Sequence, residues 1–175
     1  MKTGVIGGGA WGTALAQTIA SDGSEVLLWA REAEVVESIA AFRENRPFLP
    51  GISLSEAITP TASLEHLAEC DLLVAVTPAQ HLRAVLAAAP VGARTLLLCA
   101  KGLGPGGERL SLLARGAGFA HMAVLSGPNH AEEVGRGLPA ATVGAPSGEA
   151  APAPAAAGPD GLARAGRGCH GHRRA

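Results

Sequence analysis

Six residues near the start constrain this chain more than any others: Gly7-Gly8-Gly9-Ala10-Trp11-Gly12, set between the apolar run Gly4-Val5-Ile6 and the helix-forming Thr13-Ala14-Leu15-Ala16. Glycines spaced G-x-G-x-x-G, directly after a strand and opening a helix, have a specific physical use. Gly7 permits a tight turn, Gly9 lets the backbone approach a pyrophosphate, and Gly12 allows the helix to pack close against the strand. The helix N-terminus then offers free N–H groups and the positive end of its dipole to the anion. The expected ligand is a dinucleotide, held on a Rossmann-type βαβ unit.

The rest of the chain extends that unit. Apolar runs of strand length near 2–6, 25–29, 57–60, 71–76, 95–99, 122–126 and 140–144 alternate with segments of helical period near 10–21, 32–42, 63–68, 79–88, 108–116 and 129–136. Such alternation predicts an α/β fold, a doubly wound, mostly parallel sheet with helices on both faces. Residues 44–55 contain Pro47, Pro50 and Gly51 and are expected to form an ordered loop. The expected domain is residues 1–144, followed by a low-complexity, disordered tail over 145–175. In that tail 24 of 31 residues are Ala, Gly, Pro or Arg, too few apolar groups to offset chain entropy. A truncation or frame change in the coding sequence accounts for so abrupt a shift, and so does a native flexible tail.

A formal charge of -1 gives no electrostatic footprint for nucleic acid or an anionic membrane surface. The longest apolar stretches, such as Ala93 to Ala100, fall far short of the roughly 20 residues of a membrane-spanning helix, so no membrane insertion is expected. Met1-Lys2-Thr3 leads straight into the first strand with no secretory pattern, which makes the cytoplasm the expected location. Cys70, Cys99 and Cys169 lack CxxC spacing, so no zinc site or disulfide framework is expected; the first two read as buried, reduced strand residues. The Cys169-His170-Gly171-His172 cluster has no fixed scaffold to make it a metal site.

Four positions at the expected carboxyl edge of the sheet carry chemistry. The second strand ends Leu28-Trp29-Ala30-Arg31-Glu32, with a cation where an NAD-selective site commonly has an acid. Arg31 can pair with a 2′-phosphate or stack on adenine, which favours NADP mildly while leaving NAD usable. Glu32 suits the start of the next helix. Val76-Thr77-Pro78 ends the fourth strand, and His81 beyond it reads as a surface helix residue. After the fifth strand comes Lys101, the only lysine besides Lys2, aimed either at a substrate phosphate or at the nicotinamide side of the cofactor. The sixth strand feeds Ser126-Gly127-Pro128-Asn129-His130, where the Gly127 backbone and the Asn129 amide suit a small polyhydroxylated or phosphorylated substrate; His130 is assigned no catalysis.

Taken together, Gly7 to Ala16 (GGGAWGTALA), Phe48 to Ile52 (FLPGI), Cys99 to Leu103 (CAKGL) and Leu125 to Ala131 (LSGPNHA) resemble the bacterial NAD(P)-dependent glycerol-3-phosphate dehydrogenases. The resemblance covers roughly residues 3–145 and includes Glu133 to Ala140. It implies hydride transfer between NAD(P)(H) and the glycerol 3-phosphate/dihydroxyacetone phosphate pair, in the supply of phospholipid precursors. By motif match it implies cofactor contacts at Gly7, Gly9, Ala10, Trp11, Gly12, Arg31, Phe48, Lys101 and Ala131, and substrate contacts at Lys101, Gly127 and Asn129. Ala10 and Asn129 stand where the family often has serine, and Phe48 where it often has tyrosine. The family's second, helical domain carries the catalytic lysine and an Arg-Asn pair for the substrate phosphate. The tail supplies no lysine, so no catalytic residue is assigned, and cofactor binding with little or no turnover is expected. A non-catalytic nucleotide-binding fragment and a dehydrogenase of another small hydroxy acid are the alternatives. A homo-oligomer is compatible with this reading.

Overall fold

Short runs rich in Val, Leu and Ile become strands here because both of their faces are covered. In the computed structural model, which describes residues 1–90, 95–140 and 143–146, they assemble into one seven-stranded sheet. The strands are β1 (Thr3–Ile6), β2 (Val26–Trp29), β3 (Ile58–Thr61), β4 (Leu72–Ala75), β5 (Thr95–Leu98), β6 (His121–Ser126) and β7 (Val143–Pro146), in the order β3-β2-β1-β4-β5-β6-β7. β1 to β6 all pair parallel, whereas β7 runs antiparallel to β6 and closes that edge. Pro60, which cannot donate to a ladder, sits in β3, the opposite edge strand.

The period-two pattern of each strand divides the core. Val5, Leu28, Val74 and Leu97 face one side, where they meet Ala14 and Leu15 of α1 (Ala10–Ala20), Val35 and Ile39 of α2 (Ala33–Phe42), and Val134 of α5 (Ala131–Gly135). Ile6, Leu73, Leu96 and Leu98 face the other, against Leu82 and Leu86 of α3 (Ala79–Ala88) and Leu110 and Leu113 of α4 (Leu110–Gly116). Each fully buried aliphatic side chain contributes about 1.5–3 kcal/mol by leaving water, so both faces hold the sheet.

The order of strands places the site. The chain steps outward from β1 through β2 to β3, then returns to lay β4 on the other side of β1. The gap between the carboxyl ends of β1 and β4 is therefore the point where the winding reverses, the crevice in which such sheets hold ligands.

Three expectations need correction. The segment expected to be helical over 63–68 is a 3-10 helix, Leu64–Glu69, started by Ser63, whose hydroxyl oxygen accepts from the Glu65 amide. The helix expected over 129–136 is only Ala131–Gly135, because His130 is extended and serves as its N-cap. The last strand, expected over 140–144, is Val143–Pro146, so ladder pairing runs two residues past the expected domain boundary. Cys70 and Cys99 are buried but stand just outside the strands, at the end of the 3-10 helix and after β5. Of the tail expected over 145–175, residues 147–175, with the Cys169 and His170 cluster, lie outside the described residues.

Candidate cofactor and substrate site

The glycine turn is assembled by contact rather than by preference alone. Gly7 has φ +131°, and a Cβ there would press on the Thr77 amide nitrogen at 3.2 Å, across the β1/β4 gap. A Cβ on Gly12 would run into the Gly7 carbonyl oxygen, and one on Gly8 into the Ala30 Cβ at the tip of β2. Gly9 differs: a Cβ there would meet nothing within 4 Å. The fold itself thus requires Gly7, Gly8 and Gly12, while the bareness of exposed Gly9 leaves room for something else. Gly9 is the N-cap of the 11-residue α1, and no side chain caps that helix. Its first amides face outward unpartnered by side chains, the arrangement that receives a phosphate.

This turn forms one wall of a cleft of about 400 Å³. Gly7, Gly9, Ala10, Trp11, Gly12, Arg31 and Phe48 all line it, as the sequence led us to expect, and so do Gly8, Trp29, Glu32, Thr77, Pro78 and His81. A second cleft of about 350 Å³ shares Ala10, Trp11 and Val76 to Pro78 with the first and is lined beyond them by Lys101, Asn129, His130 and Ala131. Two cavities joined along one ridge match an extended two-part ligand, with one half on the glycine turn and the other reaching the β5 and β6 tips. Gly127 lies outside both linings; its carbonyl accepts a hydrogen bond from Lys101 Nζ at 3.1 Å.

A residue absent from the sequence reading organises the first cleft. Asn45 is fully buried, and its Nδ2 donates to the Gly8 carbonyl at 2.8 Å and to Thr13 Oγ1 at 2.7 Å. Its Oδ1 accepts from the Phe48 amide at 3.2 Å. One side chain therefore ties the glycine turn to the loop that presents Phe48. The same loop is closed by Glu44, whose Oε1 accepts from the Gly51 amide at 2.7 Å and whose Oε2 accepts from Arg46 Nε at 3.3 Å. The Gly51 amide first, then Arg46, hold the Glu44 carboxyl below the usual carboxylate range. The expected ordered loop is borne out, and an Asn inside a Pro/Gly-rich stretch was the available sign of its anchor.

The second cleft is less tightly bonded. Among the described residues, exposed Lys101 makes only its bond to Gly127, and the buried Asn129 Oδ1 has no hydrogen-bond partner. Cys99 lies in the wall, but burial pushes its thiol up to about 12, so it is protonated at neutral pH and no nucleophile. Among the described residues there is no group of His, Cys, Asp and Glu that could hold a metal ion, and no helix is long and apolar enough to cross a membrane.

A family model described as NAD-dependent glycerol-3-phosphate dehydrogenase N-terminus matches residues 2–151. The chain belongs to this family. It is 52% identical over 142 residues to a glycerol-3-phosphate dehydrogenase [NAD(P)+] of Novosphingobium aromaticivorans, covering 80% of this chain and 43% of that protein. A protein of the same name from Caulobacter vibrioides is 53% identical over 146 residues, with 80% and 44% covered. The crystal structure of glycerol-3-phosphate dehydrogenase from Coxiella burnetii superposes with a TM-score of 0.78 at 28% identity, over 84% of this chain and 47% of that one. This family member thus spans less than half the length of each of these three relatives.

Proposed function

We propose that this chain carries the cofactor half of an oxidoreductase that interconverts sn-glycerol 3-phosphate and dihydroxyacetone phosphate with NAD(P)(H). The observation that carries the reading is the pair of joined clefts, with an uncapped helix N-terminus and a bare Gly9 on one side and an aimed ammonium and an orphan acceptor on the other. The names of the relatives support the substrate pair.

When bound, the nicotinamide supplies a hydride to the C2 carbonyl of the ketone and accepts it from the alcohol in reverse. The chain's own residues bind and orient. The amides at the start of α1 hold the pyrophosphate, Gly9 letting it approach and Ala10 and Trp11 lining both clefts. Phe48, set by Asn45, covers the first cleft, and Arg31 stands at the ribose end, which supports acceptance of NADP as well as NAD. Ala131 borders the nicotinamide side. Lys101 attracts the substrate phosphate as a point charge, beside the Gly127 turn, and Asn129 Oδ1 accepts a hydrogen bond from a ligand hydroxyl or amide.

No proton-transfer residue is assigned among the described residues. Lys101 is held on a carbonyl at the substrate phosphate, and Lys2 is paired with Glu69 at 2.7 Å, at the start of β1 and far from its carboxyl tip. The 175-residue chain therefore binds cofactor and turns over little or not at all. Titration of the fluorescence of Trp11 and Trp29, both in the cleft wall, with NADH and NADPH tests the binding. Dihydroxyacetone phosphate-dependent oxidation of NADPH at an ordinary enzyme rate, on the order of 10 per second, would overturn the second half of the reading.

A further inference from the structure

The ribose end of the first cleft holds a carboxylate that the cofactor reading leaves idle. The residue at the tip of β2, Ala30, is 1% exposed and turned onto Gly8, so no side chain at that position reaches into the cleft. The next two residues, Arg31 and Glu32, are the ones that line it. They are bonded to one another: Arg31 Nε and Nη2 both donate to Glu32 Oε1, at 3.2 Å and 2.9 Å. That Nε/Nη2 edge is the fork with which a guanidinium grips a phosphate. Glu32 Oε2 has no hydrogen-bond partner among the described residues, and Glu32 makes no cap bond to α2 although it is the N-cap.

We propose that Glu32 is the cofactor-choice residue of this chain: one oxygen withholds the Arg31 fork from a 2′-phosphate while the other accepts the ribose 2′-hydroxyl of the unphosphorylated cofactor. The proposal rests on the dinucleotide reading above. A 2′-phosphate must take the Arg31 fork from Glu32 and then lie beside a carboxylate of like charge. A 2′-hydroxyl finds a free acceptor and disturbs nothing. Arg31 on its own turns the site toward NADPH; Glu32 turns it back, and the pair makes a site that uses both.

The test compares the parent chain with Glu32→Gln and Glu32→Ala, titrating NADH and NADPH in parallel by tryptophan fluorescence at fixed ionic strength. Removing one carboxylate from beside a phosphate dianion is expected to tighten NADPH about fivefold at low salt. The same change weakens NADH about twofold, more for Ala than for Gln, by loss of the acceptor, so the affinity ratio moves about tenfold toward NADPH. The gain in NADPH affinity shrinks as salt is raised. Because the Glu32 side chain makes no cap bond and its ion pair with Arg31 is solvent-exposed, melting temperatures stay near the parent value, and a general structural effect would not separate two ligands that differ only by a phosphate. A ratio within twofold of the parent in both variants overturns the proposal and leaves the pair a solvated contact. If neither dinucleotide binds the parent chain, the proposal falls together with the dinucleotide reading.

Discussion

The two clefts that meet over Ala10 and Trp11 are finished to different degrees. On the first, nearly every polar group has a partner within the chain: Asn45 bonds to Gly8, Thr13 and Phe48, Glu44 to Gly51 and Arg46, and Thr77 Oγ1 donates to the Ile6 carbonyl at 3.2 Å. On the second, among the described residues, an exposed lysine makes one bond to a carbonyl and a buried amide oxygen makes none. Buried polar groups are normally satisfied, so those satisfied internally shape a site and those left over mark where a ligand completes it. Under the proposed function, the first cleft is the one preorganised for the cofactor, and the second is the one whose hydrogen-bonding groups wait for a ligand.

The glycine turn offers the sharpest way to break that comparison, because its glycines divide into those the fold needs and the one the ligand needs. In Gly12→Ala the new methyl collides with the Gly7 carbonyl, which costs about 3 kcal/mol and lowers the urea midpoint together with NADH binding. In Gly9→Ala the methyl enters open space, so the urea midpoint stays within about 0.5 kcal/mol of the parent while NADH binding weakens by about tenfold or more. Equal losses of stability in the two variants would show that Gly9 belongs to the packing and not to the pyrophosphate.

Asn45 comes next in size. Asn45→Ala leaves the buried Gly8 carbonyl only its long 3.5 Å bond from Thr13 Oγ1 and strands the part-buried Phe48 amide, for a loss of about 2 kcal/mol in urea unfolding. Its effect on NADH affinity is expected to run through the Phe48 loop. In a double-mutant cycle, the weakening by Asn45→Ala therefore shrinks when Phe48→Ala is already present; strict additivity would mean that Asn45 acts only on the glycine turn.

These features differ in how far they could be read in advance. Ala131 was reached only through the family resemblance, whereas the turn, the doubly wound, mostly parallel sheet and the placement of Lys101 and Asn129 were legible because each depends on local chemistry: glycine spacing, hydrophobic period, a cation at a strand tip. Asn45, Gly8 and the Glu32 fork were not, because each depends on two segments meeting. Asn45 reaches 37 residues back to the Gly8 carbonyl, and Gly8 is needed only because Ala30 packs on it. The antiparallel β7 was also hidden, since an apolar run carries no sign of its direction relative to its neighbour.

On the second cleft the expected effect is confined to the ligand. Lys101→Met leaves the melting temperature within about 1 °C of the parent, as suits an exposed side chain. Binding of glycerol 3-phosphate to the NADH-loaded chain, followed by NMR, weakens about tenfold, the scale of one charge-assisted hydrogen bond to a phosphate. Unchanged binding would move Lys101 from the substrate to the cofactor side.

The smallest effects belong to two carboxylates that each close a loop, Glu44 ahead of β3 and Glu108 ahead of α4. Glu44 takes the Gly51 amide first and Arg46 second; Glu108 takes its own backbone amide first, then Arg83 and the Gly106 amide. Both carboxyls lie below their ordinary value of 4.5, so each favours the folded state above that pH and loses its contribution as the pH falls through the folded value. Glu44→Gln and Glu108→Gln should therefore unfold at lower urea than the parent at pH 7, by a gap that is smaller at pH 3. A gap of equal size at both pH values would mean that packing, not charge, holds these loops. Salt separates the two loops. Each carboxylate has a neutral amide as its leading partner and an exposed arginine as its second, but Arg83 lies closer to Glu108 than Arg46, at 3.3 Å, lies to Glu44. Raising salt at pH 7 should narrow the Glu108→Gln gap more than the Glu44→Gln gap, because the closer ion pair has the larger charge interaction for salt to screen.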